Sequence, residues 1–381
     1  MISKRQNIGN IILMIAVLAI TTLEWHFSTW YALFTPYGTL ITFVALVAAT
    51  LCYVDIKDMV KDPVFWLIAG TSAVALMNLF IIKSNKGCIL VTLDMGIVLY
   101  LANKVRLTKK QTLITLCYMA FFFFYWTVDV KGYFKGYNTN YGGLILITGF
   151  ACLMIISEYI TKYLREHPSK YNKLYILVEL FFIALAYNII AWYRSRTALI
   201  GLITLLLIKF TPVKIITNKV VYTLISIFGT IGGVITSLVY IGFGHLKGVI
   251  DIQLFYKDLV SGREVLWEEL WQEFIKSPLT GIGSSYVVKT DFMEGMLEVH
   301  GGFLDILIVH GIIVFIPLFM LFTKRLLDKR NIVSDNKINK AVFAAIICML
   351  ITSFFENFII VQPFTLVILL LFAQLNVEEE G

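Results

Sequence analysis

Three arginines and one histidine are the residues of this sequence best suited to chemistry. Arg194 and Arg196 flank Ser195 just before a long apolar run, and Arg263 lies in a more polar segment further along. A guanidinium group is planar and permanently charged, and its fork of donors matches phosphate oxygens. His300 has a side chain that can accept a proton near neutral pH. These residues predict an anion site with a proton acceptor.

Each of these residues also has a purely structural interpretation. Arginines at a membrane edge can extend towards lipid phosphates, and an interfacial histidine can simply be hydrogen-bonded. Asp94 and Glu179 lie inside apolar runs, where charge is costly, so they either have a function or bond neighbouring helices. The five cysteines show no paired spacing, so neither disulfides nor a zinc site is indicated. The sequence contains no P-loop and no dinucleotide-binding motif.

The elements that must position these residues are membrane spans. The chain has 381 residues, of which 59% are hydrophobic and 15% charged, and its mean hydropathy is +0.81. This composition excludes a soluble globular protein. The net charge of +7 does not indicate nucleic acid as a partner, because Lys and Arg lie between apolar runs.

Hydropathy predicts an all-α polytopic membrane protein of about twelve transmembrane helices, since a span needs roughly 20 apolar residues. The last span is short, so eleven spans are also compatible with the sequence. The predicted spans are 8–23, 37–54, 64–82, 88–103, 112–128, 141–158, 174–192, 197–213, 220–242, 302–322, 341–357 and 364–376.

The distribution of charge predicts the orientation of these spans. With the N-terminus inside, most Lys and Arg residues fall in cytoplasmic segments, as the positive-inside rule requires. Both termini are then cytoplasmic, and Arg196, Arg263 and His300 are extracytoplasmic. The predicted organisation is one integral domain, with nine spans in 1–242, a large extracytoplasmic loop in 243–301 and three spans in 302–381.

The large loop is predicted to contain an amphipathic helix. Ser261 and Glu264 have the spacing of a capping box, and the helix should end before Pro278. Its acidic residues are expected to point away from its apolar face. Such a helix could lie on the bilayer surface and fix Arg263 over a membrane-embedded cavity. The predicted apolar face comprises Leu266, Trp267, Leu270, Trp271, Phe274 and Ile275.

Three motifs in this part of the chain resemble the O-antigen ligase and O-antigen polymerase superfamily. The motifs cover about residues 190–320, and their order and spacing are similar to those of that family. They are Ser195-Arg196-Thr197 before an apolar span, Gly262-Arg263-x-x-x-Trp267 followed by Pro278-Leu279-x-Gly281-Ile282-Gly283, and His300 followed after ten residues by Gly311-Ile312-Ile313.

The resemblance implies a GT-C-like fold and glycosyltransferase activity. Such enzymes take a glycan from an undecaprenyl diphosphate carrier at the outer face of the cytoplasmic membrane and join it to an acceptor hydroxyl. Direct displacement of this kind inverts the anomeric centre. Arginines can neutralise the leaving diphosphate, so the expected enzyme uses no metal and no cofactor.

The resemblance also implies roles for individual residues. His300 is expected to be the general base, with Glu298 or Asp305 as its orienting carboxylate or as a rival base. These three are the candidate catalytic residues. The candidate diphosphate-binding residues are Arg196, Arg263 and Arg194.

Gly301 and the abundance of Lys, Ile and Asn favour a capsule or exopolysaccharide polymerase. Its expected partners are membrane lipid, the lipid-linked glycan, and chain-length regulator and flippase proteins. The alternative within the family is a ligase that transfers the glycan to a lipid A core acceptor. Twelve spans would also suit a transporter or flippase of lipid-linked oligosaccharide. The long loop after the ninth span and the segment Asp55–Pro63 argue against a major facilitator transporter, and His300 with its companion motifs argues against a flippase.

Overall fold

The computed structural model is predominantly helical. It describes residues 2–25, 30–82, 84, 86–129, 139–168, 172–246, 253–254, 257–258, 262–290 and 299–376. The helices are α1 (Lys4–Trp25), α2 (Trp30–Tyr53), α3 (Ile56–Lys61), α4 (Pro63–Ile81), α5 (Lys86–Leu101), α6 (Lys109–Asp129), α7 (Thr139–Glu166), α8 (Asn172–Tyr193), α9 (Arg196–Phe210), α10 (Val213–Ile216), α11 (Lys219–His245), α12 (Arg263–Phe274), α13 (Gly302–His310), α14 (Ile312–Asp328), α15 (Arg330–Asp335), α16 (Lys337–Thr352) and α17 (Phe364–Gln374).

Two further kinds of element complete the described structure. A 3-10 helix, Phe358–Ile360, lies between α16 and α17. Two short strands, β1 (Gln253–Leu254) and β2 (Lys257–Asp258), pair antiparallel with Gln253 opposite Asp258.

Six of the described helices are long and apolar enough to cross a membrane. Shorter apolar helices include Tyr37–Tyr53, Cys88–Leu101 and Phe364–Gln374. This pattern supports a polytopic membrane protein, while the number of twelve spans stays a prediction. The six candidate spans are Lys4–Trp25, Pro63–Ile81, Lys109–Val128, Asn140–Glu166, Leu174–Tyr193 and Lys219–His245.

The chain forms two compact units. The first comprises Met1–Arg106, Ser226–Asp328 and Ser353–Gly381, and the second comprises Leu107–Ile225 and Lys329–Thr352. The predicted division of the chain at residues 242 and 301 stays a prediction.

In the first unit, α5 is a central helix that contacts α2, α4, α14 and α17, and α13 contacts both α12 and α14. Apolar residues fill the interior, and side-chain to backbone bonds join helices that are distant in sequence. Arg325 Nε donates to the carbonyl of Leu99 at 2.9 Å. Asp94 accepts a hydrogen bond of 2.7 Å from Gln362 Nε2. Asp94 therefore ties α5 to the segment before α17.

The second unit is organised around α7, which contacts α6, α8, α9 and α16. Lys209 is buried in it, with its Nζ 2.5 Å from Glu158 Oε1 and 2.9 Å from Glu179 Oε1. Ser157 Oγ donates to Glu179 at 2.8 Å. A buried cation between two carboxylates satisfies charges that would otherwise be costly. Glu179 thus takes part in bonding between helices, which was one of its two expected roles.

Two predicted spans differ from the helices observed. The span 302–322 is divided at Gly311, whose φ of +81° ends α13 before α14 begins. The span 341–357 ends as a helix at Thr352. Residues 353–357 are therefore a non-helical loop, and this loop belongs to the candidate site.

Candidate functional site

The candidate site of the first unit begins at the N-terminus of α12. Gly262 is the N-cap residue, with a φ of +87° that favours glycine, and it makes no side-chain capping bond. The predicted cap residue, Ser261, lies outside the described residues, and α12 begins one residue later than a cap at Ser261 would give. Glu264 was expected to point away from the apolar face, but it is buried, and its side chain packs close to Gly244.

The apolar face of α12 packs into the unit. Leu266, Trp267, Leu270 and Phe274 are buried, whereas Ile275 is 70% exposed. Trp267 is completely buried, and its Nε1 donates a hydrogen bond of 2.7 Å to the carbonyl of Val299. Trp267 thereby fixes the backbone immediately before His300.

The backbone around His300 is held on its other side as well. His300 itself has a φ of +54°, which is unusual for a residue with a side chain. The backbone N–H of Gly301 donates to Asn357 Oδ1 at 2.8 Å, and that of Gly302 donates to the carbonyl of Ser353 at 2.8 Å. Such a conformation persists where the surroundings enforce it, and here three hydrogen bonds do so.

Arg263, Glu356 and His300 come together in this frame. Arg263 Nη2 donates to Glu356 Oε1 at 2.5 Å, and His300 Nδ1 lies 3.4 Å from Glu356 Oε2. The three side chains are 10%, 7% and 12% exposed. One carboxylate thus contacts, through its two oxygens, the residue expected to bind phosphate and the residue expected to take a proton.

The charges around Glu356 keep it ionised. Glu356 lies in the loop after α16, outside the membrane-spanning helices. Burial alone would raise the pKa of its carboxyl, but the charge of Arg263 and the contact with His300 hold that pKa below its ordinary value. A carboxylate at Nδ1 favours the tautomer in which Nδ1 carries the hydrogen, so Nε2 is the nitrogen able to accept a proton.

The carboxylate that lies 3.4 Å from His300 is that of Glu356, whereas the sequence analysis selected Glu298 and Asp305. Glu298 lies outside the described residues. Asp305 is buried in the first turn of α13. The sequence analysis did not select Glu356, although it is a glutamate at the end of an apolar run, the same signal that identified Asp94 and Glu179.

The glycine motifs have a structural role next to this site. Gly281 and Gly311 both have positive φ, and a Cβ at either would lie only 2.4 or 2.2 Å from a backbone oxygen of the other segment. The N–H of Ile282 donates to the carbonyl of Ile308, and that of Ile312 donates to the carbonyl of Pro278, both at 2.9 Å. These contacts bind the segment after α12 to the end of α13, the helix that begins just after His300.

In the second unit, the Ser195-Arg196-Thr197 motif begins α9. Ser195 is completely buried, and its Oγ accepts a hydrogen bond of 3.3 Å from the N–H of Ala198. Arg196 is the first helical residue and is partly exposed, while Arg194 is exposed and has a φ of +52°. A helix N-terminus carries a partial positive charge, so this arrangement adds to the attraction of the arginines for an anion.

Comparison with known families agrees with the motifs. The family model described as O-Antigen ligase matches residues 180–319. This match supports the O-antigen ligase and polymerase superfamily. No curated protein and no solved structure matches the chain.

The O-antigen ligase family match includes Arg194, Arg196, Arg263 and His300 and ends before Glu356. The resemblance stated from the motifs is therefore confirmed at the level of the superfamily. The roles of the individual residues stay predictions. Among the described residues, no group of three or more His, Cys, Asp or Glu side chains is arranged to hold a metal ion.

Proposed function

We propose that this protein is a polysaccharide polymerase, an inverting glycosyltransferase that joins undecaprenyl-diphosphate-linked oligosaccharide repeat units. The observation that carries the proposal is the cluster of Arg263, Glu356 and His300, two of whose members lie in the segment that matches the O-antigen ligase family model. The cluster combines a phosphate-binding group with an oriented proton acceptor, which are the two groups that this transfer needs.

The proposed reaction is a single displacement at the anomeric carbon of the donor glycan. His300 Nε2 takes the proton of an acceptor hydroxyl while the hydroxyl oxygen forms its bond to the anomeric carbon. The bond from that carbon to the diphosphate oxygen breaks, and the lipid diphosphate leaves with the electron pair. Glu356 stabilises the imidazolium that forms, because its oxygen lies 3.4 Å from Nδ1.

The leaving diphosphate develops negative charge, and preorganised cations lower the energy of that transition state. Arg263 is the proposed cation of the cluster. Arg196 and Arg194 are proposed as further diphosphate ligands, a role that rests on their motif and on the helix N-terminus at Arg196. We propose that these arginines supply the charge compensation that a metal ion provides in other glycosyltransferases.

Purified protein with a defined undecaprenyl diphosphate oligosaccharide tests the polymerase. A polymerase lengthens the glycan into a ladder with this substrate alone, in the absence of added metal. A ligase leaves the glycan unchanged until a lipid A core acceptor is added. A flippase changes neither glycan length nor acceptor, and instead moves the labelled lipid across the bilayer of proteoliposomes. The polymerase proposal is preferred because Gly301 and the composition favour it.

We also propose that the protein lies in the cytoplasmic membrane with both termini inside and the cluster facing outwards. Single cysteines introduced into a cysteine-free variant at Lys276 and Lys162 test this orientation. A membrane-impermeant thiol reagent applied to intact cells should label the position at 276 and leave the position at 162 unlabelled. The opposite pattern would invert the proposed topology.

A further inference from the structure

The contact between Arg263 and Glu356 raises a conflict for the proposed function, on which this inference rests. Arg263 is assigned to the donor diphosphate, yet its charge is already neutralised by a buried carboxylate 2.5 Å away. An anion approaching this ion pair would meet Glu356 as well as Arg263. With little water to screen these charges, the carboxylate opposes binding of the diphosphate.

Glu356 cannot simply lose its partner, because an uncompensated buried charge is strongly destabilising. Its second oxygen already lies 3.4 Å from His300 Nδ1. An imidazole becomes positively charged when it takes a proton from the acceptor hydroxyl. His300 can therefore replace Arg263 as the positive partner of Glu356 during the reaction.

We propose that Glu356 is a positioning residue that exchanges partners in each catalytic cycle. Before the donor binds, Glu356 pairs with Arg263. The donor diphosphate then draws Arg263 away, and Glu356 becomes the negative partner of the imidazolium that forms on His300 as it takes the acceptor proton. Binding of the donor thereby frees Glu356 to stabilise that imidazolium.

The sequence neighbourhood of Glu356 fits this role. The next residue, Asn357, holds the backbone N–H of Gly301 at 2.8 Å, so the loop keeps His300 near the carboxylate while Arg263 moves. Arg263 is the first residue of α12, next to Gly262 with its positive φ. Its long side chain can therefore change partner without a change in the helix behind it.

The experiment compares Glu356→Gln with the wild-type protein in binding and in turnover. Binding is measured with undecaprenyl diphosphate as the probe, and turnover is measured as the initial rate of ladder formation. The Gln variant lacks the competing charge, so it should bind the probe about fivefold or more tightly. Its kcat should fall about 10- to 100-fold, because the amide cannot compensate an imidazolium.

The opposite signs of these two effects distinguish partner exchange from a structural role. If Glu356 only supports the fold or holds Arg263 in place, Glu356→Gln will weaken binding and turnover together, and the proposal is overturned. Glu268→Gln is the matched control, since Glu268 lies on α12, the helix that carries Arg263, is partly exposed and contacts His245 at 3.6 Å. It should change neither quantity by more than about twofold.

A second variant keeps the test decisive if Glu356→Gln does not fold. Glu356→Asp retains the charge on a shorter side chain, so probe affinity should stay near the wild-type value while kcat falls. Tighter binding by the Asp variant, or a loss of both quantities, would contradict charge competition. Absence of a ladder from the wild-type protein would refute the polymerase while leaving the binding comparison between variants intact.

Discussion

The hydrogen bond from Trp267 to the backbone before His300 gives a sharp prediction. Trp267→Phe removes the indole N–H and retains an aromatic ring in a completely buried position whose ring lies 5.3 Å from that of Tyr240. The lost bond, 2.7 Å long, leaves the buried carbonyl of Val299 without this donor. The cost of an unsatisfied buried carbonyl is about 1–3 kcal/mol.

Much of this cost should appear as a higher free-energy barrier to the catalysed reaction. His300 has a φ of +54°, and the backbone on either side of it keeps it there. When the Val299 carbonyl is released, the histidine can relax towards commoner backbone angles and move away from Glu356. A loss of about 1–3 kcal/mol of transition-state stabilisation lowers kcat roughly 5- to 150-fold. The donor KM should change little, because Arg263, the proposed diphosphate ligand of the cluster, is not altered.

Trp271→Phe is the control for this prediction. Trp271 lies on the same helix, and its Nε1 donates to Ser237 Oγ at 3.0 Å rather than to the backbone near His300. Its kcat should remain within about twofold of wild type, with only a small fall in apparent Tm. Ladder formation at saturating donor and thermal unfolding in detergent measure the two effects. Equal losses of kcat in both variants, or an unchanged kcat in Trp267→Phe, would refute the positional role of the bond.

Three further predictions concern single side chains. His300→Ala should retain binding of undecaprenyl diphosphate and lose turnover about 100- to 10,000-fold; normal ladder formation would remove His300 from catalysis. Arg196→Lys and Arg263→Lys should each lower kcat/KM about 10- to 150-fold, because an ammonium cannot reproduce a bidentate fork, and wild-type values would show that the arginines serve only the fold. Lys209→Met should lower stability by about 3–5 kcal/mol, since two partly buried carboxylates lose their buried cation, and an unchanged apparent Tm in detergent would contradict that network.

Parts of the fold and the site follow directly from sequence patterns. Apolar runs predicted helices, and several candidate spans, such as Pro63–Ile81 and Leu174–Tyr193, lie within a few residues of the hydropathy boundaries. The heptad-like spacing in α12 correctly placed Leu266, Trp267, Leu270 and Phe274 on a buried face. Local periodicity is sufficient here because the pattern is repeated along one helix.

The contacts of Glu356 could not be predicted from the sequence, for a different reason. Its importance depends on contacts with Arg263, 93 residues earlier in the chain, and with His300. Neither spacing nor composition encodes such a contact, and a glutamate near the end of an apolar run has several ordinary explanations. The burial of Glu264 was missed for a related reason: helical periodicity indicates which residues share a face, and the fold decides how many faces are covered.

The loop between α16 and the 3-10 helix has a consequence for how this protein can change over evolution. Glu356 contacts the side chain of His300, and the adjacent Asn357 bonds the backbone of the next residue, Gly301. Since both contacts arise from consecutive residues, deletion or insertion of one residue in 353–357 would displace them in a single step. Point substitutions within the loop can be compensated one at a time, whereas a change in its length cannot. The length of the loop sets the positions of both contacts, and we expect this length to be constant even where the apolar residues of the loop vary.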